Sequence, residues 1–158
     1  MFEQEPFFSR WSPRILSILR IVATFIYMAH GSQKLFGIPP STQARPLILS
    51  LSGIAGIIEF FGGFLLLLGF LTRPVAFLVS GEMAVGYFLK HAPQGFLPLV
   101  NHGELAALFS FLYLYFFFAG GGEWSIDNWL REKRDSFAGS TEYEKTKNDE
   151  TNETNQIF

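Results

Sequence analysis

Between residues 46 and 122 the chain carries only five charged side chains in 77 positions: Glu59, Arg73, Glu82, Lys90 and Glu104. A soluble domain needs solvated faces on most of its elements, with roughly a quarter of its residues charged. This stretch cannot supply them, and its expected solvent is lipid. The remaining charge is concentrated elsewhere, with 11 of the 26 charged residues in 132–158. Nearly half the chain is hydrophobic and 19 residues are Phe, so the 158 residues as a whole cannot be disordered and are expected to form one packed unit.

Four apolar runs approach or meet the roughly 20 residues that a helix needs to cross a hydrocarbon core: about 15–36, 47–71, 74–92 and 103–120. The second holds 16 Leu, Ile or Phe residues and a single charge, Glu59. The breaks carry turn chemistry: Gly37-Ile38-Pro39-Pro40, Thr72-Arg73-Pro74, Pro93-Gln94-Gly95 and Gly120-Gly121-Gly122. The short second break makes the second and third helices an antiparallel hairpin, while the longer first and third connections leave room for ordered structure at the membrane surface. The expected fold is therefore all-α, a polytopic four-helix transmembrane bundle. Its divisions are an N-terminal tail (1–13), a four-span membrane domain (14–131) and a disordered polar C-terminal tail (132–158).

Two other readings of the apolar runs fail. A cleaved signal peptide at the first run is interrupted by Arg20, and the sequence after Ala29 continues as an apolar helix. In a soluble bundle, the second and fourth runs would need polar faces that they lack. An even number of spans puts both termini on one side. Arg10, Arg14, Arg73, Arg131, Lys133 and Arg134 flank the spans there, against Lys34, Arg45 and Lys90 on the other side. The excess of basic residues places both termini in the cytoplasm.

A formal net charge of −2 gives no basic field for nucleic acid. The absence of cysteine excludes disulfides, thiolate metal sites and thiol redox chemistry within this chain.

Ionisable residues inside a span are costly, and each is by default a functional hypothesis. The candidates for a polar network or ligand site are Arg20, His30, Lys34, Glu59, Glu82, His91, His102 and Glu104. By depth, Glu59 and Glu82 fall near the midplane, Arg20 on the cytoplasmic side of it, and His30, Lys34 and Glu104 on the outer side. Helical spacing puts Arg20, Thr24, Tyr27, Gly31 and Lys34 on one stripe. Ser52, Gly56, Glu59 and Gly63 share a face, Glu82 and Gly86 another, and Glu104, Leu108, Phe111 and Tyr115 a fourth. A bundle that turns all four faces inward buries a mixed-charge network. Arg20 would then pair with Glu59 or Glu82, and Lys34 with Glu104. Small residues on these faces either close the helices together or leave room for a ring. Tyr27, Tyr87 and Tyr113 read as lipid-facing or packing groups. No metal site is assigned, because the three histidines lack a ligand spacing such as two His four apart on one helix.

The punctuation also resembles a known family. Arg20, then His30-Gly31-Ser32-Gln33-Lys34-Leu35-Phe36-Gly37, Glu59-Phe60-Phe61-Gly62-Gly63 and Leu68-Gly69-Phe70-Leu71-Thr72-Arg73 look like the pattern of the DoxX family of small bacterial and archaeal membrane proteins. Glu82-Met83-Ala84-Val85, His91-Ala92-Pro93-Gln94-Gly95-Phe96, Asn101-His102-Gly103-Glu104 and the run from Gly120 to Asp127 continue it. His102 departs from it, standing where the family more often has a second Gly. The resemblance covers about residues 14–128. It implies a four-helix protein of the prokaryotic cytoplasmic membrane. The family is named after a subunit associated with thiosulfate:quinone oxidoreductase, and other members are linked to membrane redox complexes and oxidative-stress defence. It supplies no catalytic residue set.

The functional expectation that follows is a redox-associated subunit holding a quinone-like or other small ligand between its helices. Its expected partners are the lipid bilayer, a redox subunit or further copies of itself. The alternative is a membrane anchor or a proton- or solute-transport protein.

Overall fold

The computed structural model describes residues 6–42 and 44–155. The first five residues of the expected N-terminal tail and the last three of the C-terminal tail lie outside the described residues. Among those described, all regular structure is helical: α1 (Pro6–Phe36), α2 (Leu51–Leu68), α3 (72–91), α4 (Glu104–Ala119) and α5 (Ile126–Asn155), with a single helical turn at Pro98–Asn101. By length and composition α1 (over Phe7–Phe36) and α2 are long and apolar enough to cross a membrane, and α4 is a shorter apolar helix.

Helix boundaries follow local chemistry. Ser50 caps α2 by accepting the Gly53 N–H at 3.2 Å, and Gly69, with φ 67°, closes it in the left-handed conformation that glycine adopts without strain. Leu71 also sits at positive φ, a conformation costly for a branched side chain. It is held there because Asp127 accepts both the Leu71 N–H (2.9 Å) and the Thr72 N–H (2.7 Å). Asp127 thus caps the first turn of α3 from a distant part of the chain. The tight α2–α3 hairpin expected from the short break is present.

The four helices α1–α4 share one core of Ala23, Tyr27, Leu66, Ala76, Val79, Phe109, Tyr113 and Phe116. Between α3 and α4, Ser80 and Ser110 each donate to the other's backbone carbonyl, at 2.8 and 3.1 Å, the kind of polar clasp used between helices in lipid. Outside this core runs a belt of exposed large apolar side chains, among them Leu19, Val22, Phe25, Phe61, Phe64, Phe77, Phe88 and Phe111. A surface this apolar is not that of a water-soluble monomer.

Three expectations are corrected. Helix α1 begins at Pro6, so much of the supposed tail 1–13 is helical. The segment 132–155, expected to be disordered, continues α5 as helix. Its polarity denies it a core but not a helix, since Glu, Lys and Arg are good helix formers. The third correction concerns α4. Glu104, Leu108, Phe111 and Tyr115 face outward, and the buried stripe is Phe109, Tyr113 and Phe116.

Candidate functional site

The sequence of α1 places Tyr27, Gly31 and Lys34 at i, i+4 and i+7, one above another on a single face. Gly31 lets α2 approach until backbone meets backbone. A Cβ there would stand 2.5 Å from the Phe60 nitrogen and 2.8 Å from the Glu59 Cβ. Gly56 admits Lys34 and Gly63 admits Met28 in the same way, so three of the glycines singled out from the sequence close α1 onto α2. Gly86 does the opposite: nothing lies within 4 Å of the space a Cβ would take.

Against this close contact Glu59 sits in a π-helical turn, Ile58–Gly62, a local widening of the helix that recurs at functional sites. Its carboxylate is 3% exposed and accepts a hydrogen bond from Lys34 Nζ at 2.6 Å through Oε1. Oε2 is buried with no hydrogen-bond partner. Glu82, from α3, accepts the Tyr27 hydroxyl at 3.0 Å and lies within electrostatic reach of Glu59 and Lys34. The Tyr27 ring packs on Phe109 and Tyr113, and beneath it the Thr24 and Tyr113 hydroxyls are buried side by side. The result is a cluster from three helices, Tyr27, Lys34, Glu59 and Glu82. It holds two carboxylates, one cation and one buried acceptor without a donor.

The remaining candidates separate from it. His30 and Lys90 act on Glu59 only through their charge, and His30 is exposed. Lys34 does not pair with Glu104, which is exposed on the outer face of α4. His102 is exposed at φ 56°. His91, the last residue of α3, faces the loop before α4: its Nδ1 lies 3.0 Å from the Asn101 carbonyl and its ring stacks on Tyr87. Asn101, 1% exposed, ties that loop by bonds to the Gly95 carbonyl, the Tyr87 hydroxyl and the Gly103 N–H. No three metal-ligating side chains converge among the described residues.

Arg20 pairs with neither Glu59 nor Glu82. Fully buried, its guanidinium donates to four backbone carbonyls: Gly121 (2.8 Å), Leu67 (2.7 Å), Trp124 (2.6 Å) and Leu66. Two of these are carbonyls of the last turn of α2, where helical N–H donors run out; the Leu66 carbonyl also accepts the Gly69 N–H at 3.1 Å. The others belong to the glycine loop after α4, and the nearby charge is Asp127. The rigid donor fork of arginine suits several fixed acceptors, and here it fastens α1, α2 and the 120–128 segment together. Ser17 adds to the clasp by accepting the Trp124 N–H at 3.0 Å, and Arg14 pairs with Glu123 at 3.0 Å. Asp127 and Asn101 carry no sequence signal that would single them out. A carboxylate just after a Gly-rich turn, or an Asn before a Gly, marks a cap or turn without saying whose backbone it serves.

A helical core inside an apolar belt, with ionisable groups meeting at its centre, defines a small integral-membrane type of protein. The DoxX family model matches residues 15–92, which include Tyr27, Lys34, Glu59 and Glu82. An uncharacterized protein of Haemophilus influenzae is 41% identical over 128 residues, covering 75% of this chain and 92% of that protein. No solved structure matches. The chain belongs to the DoxX family.

Proposed function

We propose that the protein spans the prokaryotic cytoplasmic membrane four times with both termini inside. In this reading the cluster of Tyr27, Lys34, Glu59 and Glu82 binds the head of a small quinone-type ligand, beside a partner subunit that carries the electrons. The observation behind the ligand is the unpartnered Oε2 of Glu59. Buried acceptors are almost always satisfied, and in the middle of a bilayer no solvent substitutes. A quinol hydroxyl would supply the missing donor. Lys34, half-buried and holding only one of its three donors on Glu59, would serve a ring carbonyl of the oxidised form, and the open side of Gly86 leaves room beside Glu82. The chain has no cysteine, so any sulfur chemistry falls to the partner. The basic flanks of the termini support the orientation.

One observation favours a second reading. The Tyr27–Glu82 bond next to Glu59 links hydroxyl and carboxylate groups as a proton relay would. Gentle solubilisation followed by analysis of the extracted lipid separates the two readings. A quinone bound in defined proportion to the wild-type chain, and lost from Glu59→Gln, supports the first. Proton flux in sealed vesicles with no quinone bound supports the second and removes the first.

A further inference from the structure

We infer that the α5 end of the bundle carries a second, separate binding site, for the phosphate of an anionic glycerophospholipid. A shallow cavity of about 260 Å³, largely open to its surroundings, lies there, lined by Asp127, Leu130, Arg131 and Arg134. Two guanidinium groups in one cavity would ordinarily be neutralised by carboxylates. Here the nearest acid, Asp127, is already committed through both oxygens to the Leu71 and Thr72 N–H groups. Arg131 donates to Asn128, a neutral amide. Arg134 stands 3.9 Å from Asp135, with both side chains largely in solvent, a geometry of little energetic weight. Arg73, exposed beside Gly120, is not ion-paired among the described residues. Lys133 sits over the Trp129 ring at 4.6 Å instead of on an acid. Glu132 and Asp135 share this helix face region but do not enter the cavity lining.

The depth of the site selects lipid over a soluble anion. Leu71, whose N–H meets Asp127, and Trp129 and Leu130 on α5 are all substantially exposed, and an indole ring at the end of an apolar belt marks the headgroup level. Leu130 inside the cavity gives an acyl or glycerol carbon an apolar wall next to the arginines. Arginine forks match a phosphate in two places at once. The site is apart from the Lys34–Glu59 cluster, at the opposite end of the helices. It depends on the proposed function only for the claim that α1–α4 span a bilayer.

The test uses the full chain in detergent, titrated with phosphatidylglycerol or phosphatidylcholine, with bound lipid counted by native mass spectrometry. The wild type should retain phosphatidylglycerol about tenfold better than phosphatidylcholine, given the attraction expected of two basic residues near a membrane surface. R131Q/R134Q should bring that preference close to unity. Arg45→Gln, which removes a positive charge at the other end, should leave it unchanged, and millimolar inorganic phosphate should not displace the lipid. Both arginines are exposed, so folding should persist; if the double variant fails to fold, R134Q alone should still halve the preference or more. Three results each overturn the site: a preference that survives R131Q/R134Q, an equal loss with Arg45→Gln, or displacement by phosphate. A chain that does not insert into neutral phosphatidylcholine bilayers overturns the spanning reading along with the site, whereas insertion without phosphatidylglycerol preference rejects the site alone.

Discussion

The middle of α1 and its C-terminal end use buried charge in opposite ways. In the middle, every guanidinium nitrogen of Arg20 donates to a backbone carbonyl, and the neighbouring Asp127 spends both oxygens on backbone N–H groups. About four turns further along the same helix, Lys34 holds one oxygen of Glu59 and leaves the other without a donor. A saturated network fixes geometry and has no capacity left for a ligand. An incomplete one is costly in isolation, and under the proposed function a ligand completes it. Both sets of residues lie in apolar surroundings and would be grouped together by hydropathy alone. Satisfaction of the charged groups' hydrogen bonds, not burial, tells them apart.

The contrast breaks most severely at Arg20. Arg20→Met should abolish accumulation of folded protein, because each buried carbonyl left without a donor costs about 1–3 kcal/mol and those of Leu67, Gly121 and Trp124 lose the Arg20 donor together, while Leu66 keeps the Gly69 N–H. Arg20→Lys should recover part of the yield, since an ammonium reaches fewer of the four fixed acceptors than the fork does. Expression with fluorescence-detected size exclusion reads both. Equal behaviour of Met and Lys would show that the fork geometry is irrelevant.

Next comes Glu59. Replacing it by Leu strands the Lys34 ammonium, and breaking a buried pair in this way typically costs about 3–5 kcal/mol. Glu59→Gln keeps an acceptor for Lys34 and should fold close to wild-type level. Thermal unfolding in detergent should rank wild type, Gln and Leu in that order, and a Leu variant as stable as Gln would mean that the pair has no structural weight.

Smaller effects come from the glycines. Gly31→Ala pushes a methyl group into the Glu59 backbone and should destabilise by about 1–3 kcal/mol, as overpacking does, while also displacing Glu59 from Lys34. Gly86→Ala enters open space and should be neutral or stabilising by up to about 1 kcal/mol, the helix propensity difference. The pair separates glycines that close helices from the one that leaves room, and equal destabilisation would erase that distinction. The smallest effect belongs to Glu104→Gln on the outer face of α4, for which unfolding temperature and ligand content should both match the wild type.

The extent of legibility in the sequence follows from what each signal reports. The apolar runs match most ends of α1–α4, and the turns at Gly37 and Gly120 need backbone conformations that glycine supplies; α1 starts nine residues before its apolar run, and the break read at Thr72-Arg73-Pro74 is the first turn of α3, the reversal itself falling at 69–71. Spacing on a helical face shows that Gly56 and Gly63 admit another backbone, without showing that the neighbour is α1 at Gly31. The inward face of α4 was not. Glu104–Ala119 is apolar all round, and a helix without a polar side gives no periodicity from which to choose the buried stripe. For Arg20, sequence chemistry suggested an acidic partner, while the structure supplies carbonyls at the end of α2, acceptors that every residue carries and no sequence distinguishes. Lys34 was assigned to Glu104 by depth, yet it reaches Glu59, which lies slightly deeper, because the side chain is long and Gly56 lets the α2 backbone come to it.

The central claim is that the unsatisfied oxygen of Glu59 marks a ligand site, and binding of a short-chain quinol to the purified chain tests it most directly. Calorimetric titration of the wild type, Glu59→Gln and Glu104→Gln into the same detergent and ligand should give saturable binding for the wild type and Glu104→Gln, with at least about a tenfold loss for Glu59→Gln, the worth of one hydrogen bond to a charged group. Equal affinity in all three chains, or no saturable binding to the wild type, would contradict the claim and leave Glu59 and Lys34 as a structural pair.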